Sequence, residues 1–332
     1  KDDDVVTTLF VANTHTPLLF FTTDGMVYKL KTWRLPLAGR QARGKALVNI
    51  LPIETGISIA ALMPVDVPED DWGNLQIVFA TSDGDVRQND LSDFTNVMRN
   101  GKIAMKLPEG ITLVNAAIAD DQDDVMLVTE AGRAIRFSTT EIRVFKSRGS
   151  TGVRGIRLAA GDHVVSMSII RHFEATPEER EAYLKQRRLM AGITEEETDD
   201  EEETIAAGQL SPDRYAEMSA AEDLILTVTK GGSGKLSSSH DYPVRGRGGM
   251  GVKAISPGPR GGRIIASFPV DQSDQIMLAT STGQSIRTPV EQVSFRSRSA
   301  GGVRVFAIGA DEEVVSVARV ADQGDDTGND SA

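Results

Sequence analysis

The chain has no cysteine among its 332 residues, which excludes disulfides and thiolate metal centres. Aromatic residues are scarce at 5%, too few for the stacking platforms that hold single-stranded nucleic acid. No apolar run approaches the roughly 18 residues that read as a membrane-spanning helix, and the start, with Asp2, Asp3 and Asp4, is no signal peptide. Together these absences point to a chain of the cytoplasm that does not sit in a membrane. The four histidines, His15, His163, His172 and His240, are scattered without metal-ligand spacing. Residues 231–235 (GGSGK) imitate a phosphate loop, but Leu236 stands where a magnesium-holding Ser or Thr is required. The acidic run 195–203 lacks the central glycine of a calcium loop, and Asp120, Asp121, Asp123 and Asp124 read as a solvated turn. No catalytic constellation and no cofactor site is left.

What the chain does have is an uneven charge. Its net charge is −12, yet residues 171–223 hold 16 acids against 6 bases and residues 311–332 hold 7 against 1. The first four residues carry a surplus of two acids, so the remaining body is positive by 6. A basic body with acidic appendages points to a polyanionic partner rather than to an acidic protein.

Five copies of one unit supply that body, at residues 18–29, 75–87, 125–136, 224–235 and 276–287. Each is an apolar run, a turn at Gly25, Gly84, Gly132, Gly231 or Gly283, and a strand carrying Lys or Arg. A second glycine follows 17 to 20 residues later, at Gly44, Gly101, Gly152, Gly251 and Gly302, with a cation close behind it. The first glycine predicts a hairpin. A third strand is predicted at the second glycine, for example over 46–51, and a fourth at 57–65, 111–119, 164–170, 264–270 and 314–320. Units of about 50 residues with four short strands predict propeller-like blades.

The predicted organisation follows from this spacing. Residues 1–12 read as the last strand of an upstream blade, making the chain a fragment of a six-bladed ring with five full blades. Residues 13–170 hold three repeats and 223–320 two more. Between them, 171–222 read as an acidic insert with two helices, starting at Thr176–Pro177 and Ser211–Pro212 and joined by a mobile acidic link. Residues 321–332 read as a disordered acidic tail.

The candidate binding residues are the cations that recur beside these glycines. They are Lys29, Lys31, Arg43, Lys45, Arg87, Lys102, Arg133, Arg136, Arg148, Arg154, Lys235, Arg245, Arg247, Lys253, Arg287, Arg298 and Arg304. Placed around one rim, they would neutralise phosphates of double-stranded DNA without reading bases. Adjacent glycines, as in residues 245–251 (RGRGGMG), allow close backbone approach to phosphate. A protein-docking propeller would instead show exposed aromatic and apolar anchors.

Residues 9–15 (LFVANTH), 28–36 (YKLKTWRLP), 42–52 (ARGKALVNILP) and 150–156 (STGVRGI) resemble the C-terminal domain of bacterial DNA gyrase A. The related domain of topoisomerase IV is the alternative. The resemblance implies an all-β, six-bladed β-pinwheel whose neighbouring blades exchange strands. It also implies DNA wrapping within an A2B2 complex, formed with the rest of gyrase A and with gyrase B, that supercoils DNA at the expense of ATP. The family's basic box, of the form Gln-Arg-Arg-Gly-Gly-Lys-Gly, is absent, and residues 245–251 are a look-alike. None of Tyr28, Tyr183, Tyr215 or Tyr242 has the context of the family's catalytic tyrosine, so the resemblance implies a non-catalytic piece.

Overall fold

In the computed structural model each predicted hairpin closes on a buried threonine. The structure describes residues 8, 10–39, 42–146, 149–190, 208–256, 262–309 and 311–320. Thr22, Thr81, Thr129, Thr229 and Thr280 each accept, at the backbone carbonyl, a hydrogen bond from the glycine N–H three residues on. These glycines, Gly25, Gly84, Gly132, Gly232 and Gly283, have φ between +78° and +93°, a left-handed region that Cβ-bearing residues avoid. In the fourth repeat the turn therefore falls on Gly232 and not on Gly231.

The fold is mostly β, built of small antiparallel sheets. In chain order the strands are β1 (Pro17–Thr22), β2 (Met26–Lys31), β3 (Ile59–Pro64), β4 (Gln76–Thr81), β5 (Asp85–Asp90), β6 (Lys102–Ile103) and β7 (Leu113–Ala119). There follow β8 (Asp123–Thr129), β9 (Arg133–Ser138), β10 (Val153–Arg154), β11 (Val164–Arg171), β12 (Leu224–Thr229), β13 (Ser233–Ser238) and β14 (Val252–Lys253). The last are β15 (Ile264–Val270), β16 (Gln275–Thr280), β17 (Ser285–Pro289), β18 (Val303–Arg304) and β19 (Val314–Val320).

The sheets run β3-β1-β2-β6, β10-β5-β4-β7, β11-β8-β9-β14, β15-β12-β13-β18 and β17-β16-β19. The two-residue strand at each second glycine thus pairs with the hairpin of the preceding repeat, not with its own. Three expectations change. The fifth sheet has three strands among the described residues, where four are expected. The stretch expected as a strand over 46–51 instead forms a 3₁₀ turn at Leu47–Asn49. Of the expected strand within 1–12, the described residues 8 and 10–12 carry no strand, and the rest lies outside the described residues.

The chain divides into two compact units. The first, built from residues 10–174 and 242–253, holds the first three sheets. Their hairpin strands are buried on both faces because neighbouring sheets stack on each other. Phe21, Phe79 and Phe94 meet edge to face with ring centroids 5.5–5.9 Å apart and fill the junction of the first two sheets. Val86, Leu127, Phe137 and Met167 fill the next junction. The second unit holds the fourth and fifth sheets around Leu226, Ile276, Leu278 and Phe306.

The second unit also contains α1 (Pro177–Met190) and α2 (Pro212–Ala220). A capping box starts α1: the Thr176 Oγ1 accepts from the Glu179 N–H, and the Glu179 carboxylate accepts from the Thr176 N–H. The helices dock on the fourth sheet through Tyr183, which stacks on Tyr215 and meets the buried His240 edge to face. The His240 ring nitrogen Nε2 lies 2.8 Å from the Met218 carbonyl. The acidic link 195–203 and the tail 321–332 lie outside the described residues.

Exchange demands close backbone approach. A Cβ on Gly152, which precedes β10, would lie 2.2 Å from the Val86 carbonyl oxygen, and one on Gly251 2.3 Å from that of Ala134. Both also have positive φ. Gly101 shares that conformation; Gly302 is needed for its approach to Gly234 alone, and Gly44 meets nothing within 4 Å.

One buried ionic cluster in the third sheet gives stability a pH dependence. His172 lies 2.9 Å from the buried Asp124 through Nδ1 and 2.9 Å from Glu174 through Nε2, and Asp124 also accepts from Arg136 Nε at 2.8 Å. The Glu174 hydrogen bond raises the imidazole pKa; burial opposes it, and Asp124 adds to the rise. A raised pKa stabilises the fold fully below about 6.5, the unfolded value, and that gain disappears as pH climbs through the folded value. The melting-temperature difference between the wild type and His172→Gln is expected to be largest near pH 6 and to shrink toward pH 9. A difference that is constant across this window would remove His172 as the titrating group.

Candidate nucleic-acid interface

Strand period sorts the cations. Consecutive residues of a strand point to opposite faces, so a cation three places after the turn glycine and one four places after it do not share a surface. Arg87 and Lys235 stand at the third place, and Lys29, Arg136 and Arg287 at the fourth. The candidate set is therefore not one equivalent row.

Four candidates are buried: Arg87, Arg136, Lys235 and Arg298. Their charges are held by the protein itself. Lys235 Nζ donates to the carbonyls of Ser297, Arg298 and Ala300 at 2.8, 2.5 and 2.7 Å. Arg87 donates to the Ser150 carbonyl at 2.8 Å and to Asn89 at 2.8 Å. Arg298 bonds the Asp241 carbonyl at 2.9 Å, and Arg136 is paired with Asp124. Ser150 and Ser297–Ala300 immediately precede the exchanged strands β10 and β18. In this structure Arg87 and Lys235 are latches on incoming strands, and such buried groups do not present charge to a phosphate.

Three more candidates are occupied at the first sheet. Lys29 and Lys31 both bind Glu69, at 2.5 and 2.9 Å, and Lys29 also donates to the Thr95 carbonyl. Burial works against the Glu69 carboxylate, but the hydrogen bonds from these two lysines outweigh it and lower its pKa. Lys102 donates to the carbonyls of Asp93 and Asn96.

The exposed candidates gather on the exchanged strands and the loops beside them. In β10, β14 and β18 a valine turns inward and the next residue, Arg154, Lys253 or Arg304, turns outward. In β6 this order is reversed, leaving Lys102 half-buried and Ile103 outward. Arg43, Lys45, Arg133, Arg245, Arg287 and Arg304 are exposed and make no ion pair with a described residue. Arg148 lies outside the described residues.

The register sets what faces each outward residue. Ile103 faces Met26, Arg154 faces Asp85, Lys253 faces Arg133 and Arg304 faces Ser233. The Lys253–Arg133 register pairing puts two like charges directly opposite, an arrangement that by itself disfavours a sheet. The glycine-rich loop 245–251 lies against β10: the Gly248 N–H donates to the Gly155 carbonyl at 2.6 Å, and the Gly249 carbonyl accepts from Arg157 at 2.8 Å. Arg247 reaches the carbonyls of Glu141 and Arg154 at 3.0 Å each, which holds that loop down while Arg245 stays exposed. Two features were missed from sequence. The signal for the latches was the third-place position on the strand; Asp85 carries no sequence mark, and Arg133, a candidate cation from sequence, gives no sign there of facing Lys253, because exchange alone brings these residues opposite.

The sequence model of the family described as "DNA gyrase C-terminal domain, beta-propeller" matches residues 16–52, 76–120, 123–171, 223–271 and 274–321. The DNA gyrase A protein of Granulibacter bethesdensis is 47% identical over 346 residues, covering 100% of this chain and 37% of that protein. Its counterpart in Rickettsia bellii is 40% identical over 334 residues, covering 100% of this chain and 36% of its own length. The chain thus spans little more than a third of these relatives. Among solved structures, a C-terminal domain of DNA topoisomerase IV aligns at TM-score 0.72 with 21% identity, over 96% of this chain and 84% of that one. A DNA gyrase A C-terminal domain aligns at TM-score 0.64 with 17% identity, over 95% and 90%. At such identities the likeness is one of fold.

Proposed function

This chain belongs to the DNA gyrase C-terminal domain family, and on that footing we propose that it binds and wraps double-stranded DNA without catalysing chemistry itself. Its working context would be the A2B2 gyrase complex, with the rest of gyrase A and gyrase B supplying cleavage and ATP hydrolysis. The observation that carries this reading is the outward cation on two successive exchanged strands, Lys253 and Arg304, together with the exposed Arg133 and Arg245. Each of these two-residue strands follows a glycine that admits close backbone approach, so each cation stands on a repeated mount. The chemistry these cations offer in this reading is phosphate neutralisation.

Wrapping is an energetic claim as well as a geometric one. Bending a 20–30 bp site by 40–90° costs about 1–6 kcal/mol, so contacts must recur along the path to offset the strain. A duplex well below the persistence length of about 150 bp, labelled at both ends, is expected to show its ends drawing together when the protein binds. Binding with unchanged fluorescence transfer would leave a DNA-binding protein that does not wrap.

A further inference from the structure

The residue facing each outward cation differs from sheet to sheet, and one of these residues opposes binding. Asp85 Oδ1 lies 3.0 Å from Arg154 Nε, with Arg154 56% exposed and Asp85 18%. Arg154 is the one described partner of the Asp85 carboxylate; the remaining bonds of Asp85 are made by its backbone, which donates to and accepts from the Thr81 hydroxyl. The equivalent position is Arg133 in the third sheet and Ser233 in the fourth. The chain therefore places a carboxylate, a guanidinium and a hydroxyl at one register position of three sheets.

Resting on the proposed DNA binding, we infer that Asp85 is a negative determinant that silences Arg154. The second sheet then contributes little to phosphate contact, and the grip on the duplex is graded blade by blade by the residue facing the exchanged strand. The physical reason is competition. A carboxylate at hydrogen-bond distance already neutralises the guanidinium, so a phosphate arriving there displaces no condensed counterion on its account. The carboxylate also repels the phosphate directly. An ion pair this open to solvent adds little to stability, which makes stapling β10 to β5 a weak alternative purpose.

The test is a set of salt titrations of duplex binding. Asp85→Asn is expected to steepen the slope of log K against log salt by about 0.9, the value for one phosphate, so that affinity falls about 3-fold further between 50 and 200 mM salt. Arg154→Ala in the wild-type background is expected to leave slope and affinity nearly unchanged, and in the Asp85→Asn background to abolish the gain. Asp85→Glu should behave as wild type. Transplanting the arrangement by Ser233→Asp should flatten the slope by about 0.9 through Arg304, and an added Arg304→Ala should bring little further change. This second variant keeps the test open should Asp85→Asn prove unstable.

Arg154→Ala flattening the wild-type slope by a full unit would overturn the inference, as would Asp85→Asn leaving the slope untouched. A wild-type protein with no salt-dependent duplex binding would overturn the proposed function, and this inference with it.

Discussion

Replacing Lys235 with methionine is expected to destabilise the protein by about 3 kcal/mol or more while leaving the salt slope of DNA binding unchanged. Lys235 is fully buried, and its ammonium satisfies three backbone carbonyls of residues 297–300. Each orphaned buried acceptor costs about 1–3 kcal/mol. Methionine retains most of the volume, so the loss reports the polar contacts and not a cavity. The affected segment leads into β18, so the exchanged strand itself should loosen. Denaturant unfolding measures the first effect, and a salt titration under conditions where both proteins are folded measures the second. A flattened slope would return Lys235 to the set of phosphate-contacting residues.

The opposite behaviour is expected of Arg133, Arg245 and Arg304 replaced together by alanine. All three are exposed and make no ion pair with a described residue, so stability should shift by no more than about 0.5 kcal/mol per site. The salt slope should flatten by about 3, because each removed cation withdraws one phosphate contact worth about 0.9. The loss should be equal for duplexes of unrelated sequence, since phosphate contacts carry no sequence information. Strong destabilisation without a change in slope would mean that these side chains hold the fold. As sequence, Lys235 and this trio share one description, basic residues beside glycines in repeated units, and only the third place after the turn glycine sets Lys235 apart.

The repeat itself was legible because hairpin chemistry is local. A positive-φ glycine three residues after a buried threonine closes every one of the five turns, and both residues are visible in the chain. The helix starts at Thr176 and Ser211 were legible for the same reason, since a cap and its proline lie within one turn. Two adjoining glycines make Gly231 look like the fourth turn in sequence; counting from Thr229 selects Gly232. Strand exchange was harder, because β10 pairs with β5 residues 67 and 69 positions earlier and nothing local announces it. Period 2 could have separated Arg87 and Lys235 from Arg136, but which face is buried depends on the sheet stacked against it. The pairing of Arg154 with Asp85 depends on exchange and register together, and is beyond reach of spacing alone.

The salt dependence of duplex binding tests the central claim most directly. The exposed cations Arg43, Lys45, Arg133, Arg245, Lys253, Arg287 and Arg304 suffice for the range of six to ten phosphates, for which affinity falls by about 10³ to 10⁵ between 50 and 200 mM salt. That loss, with log K linear in log salt and similar for duplexes of different sequence, is the result the account requires. Affinity that is flat with salt, or confined to one short sequence, would contradict it.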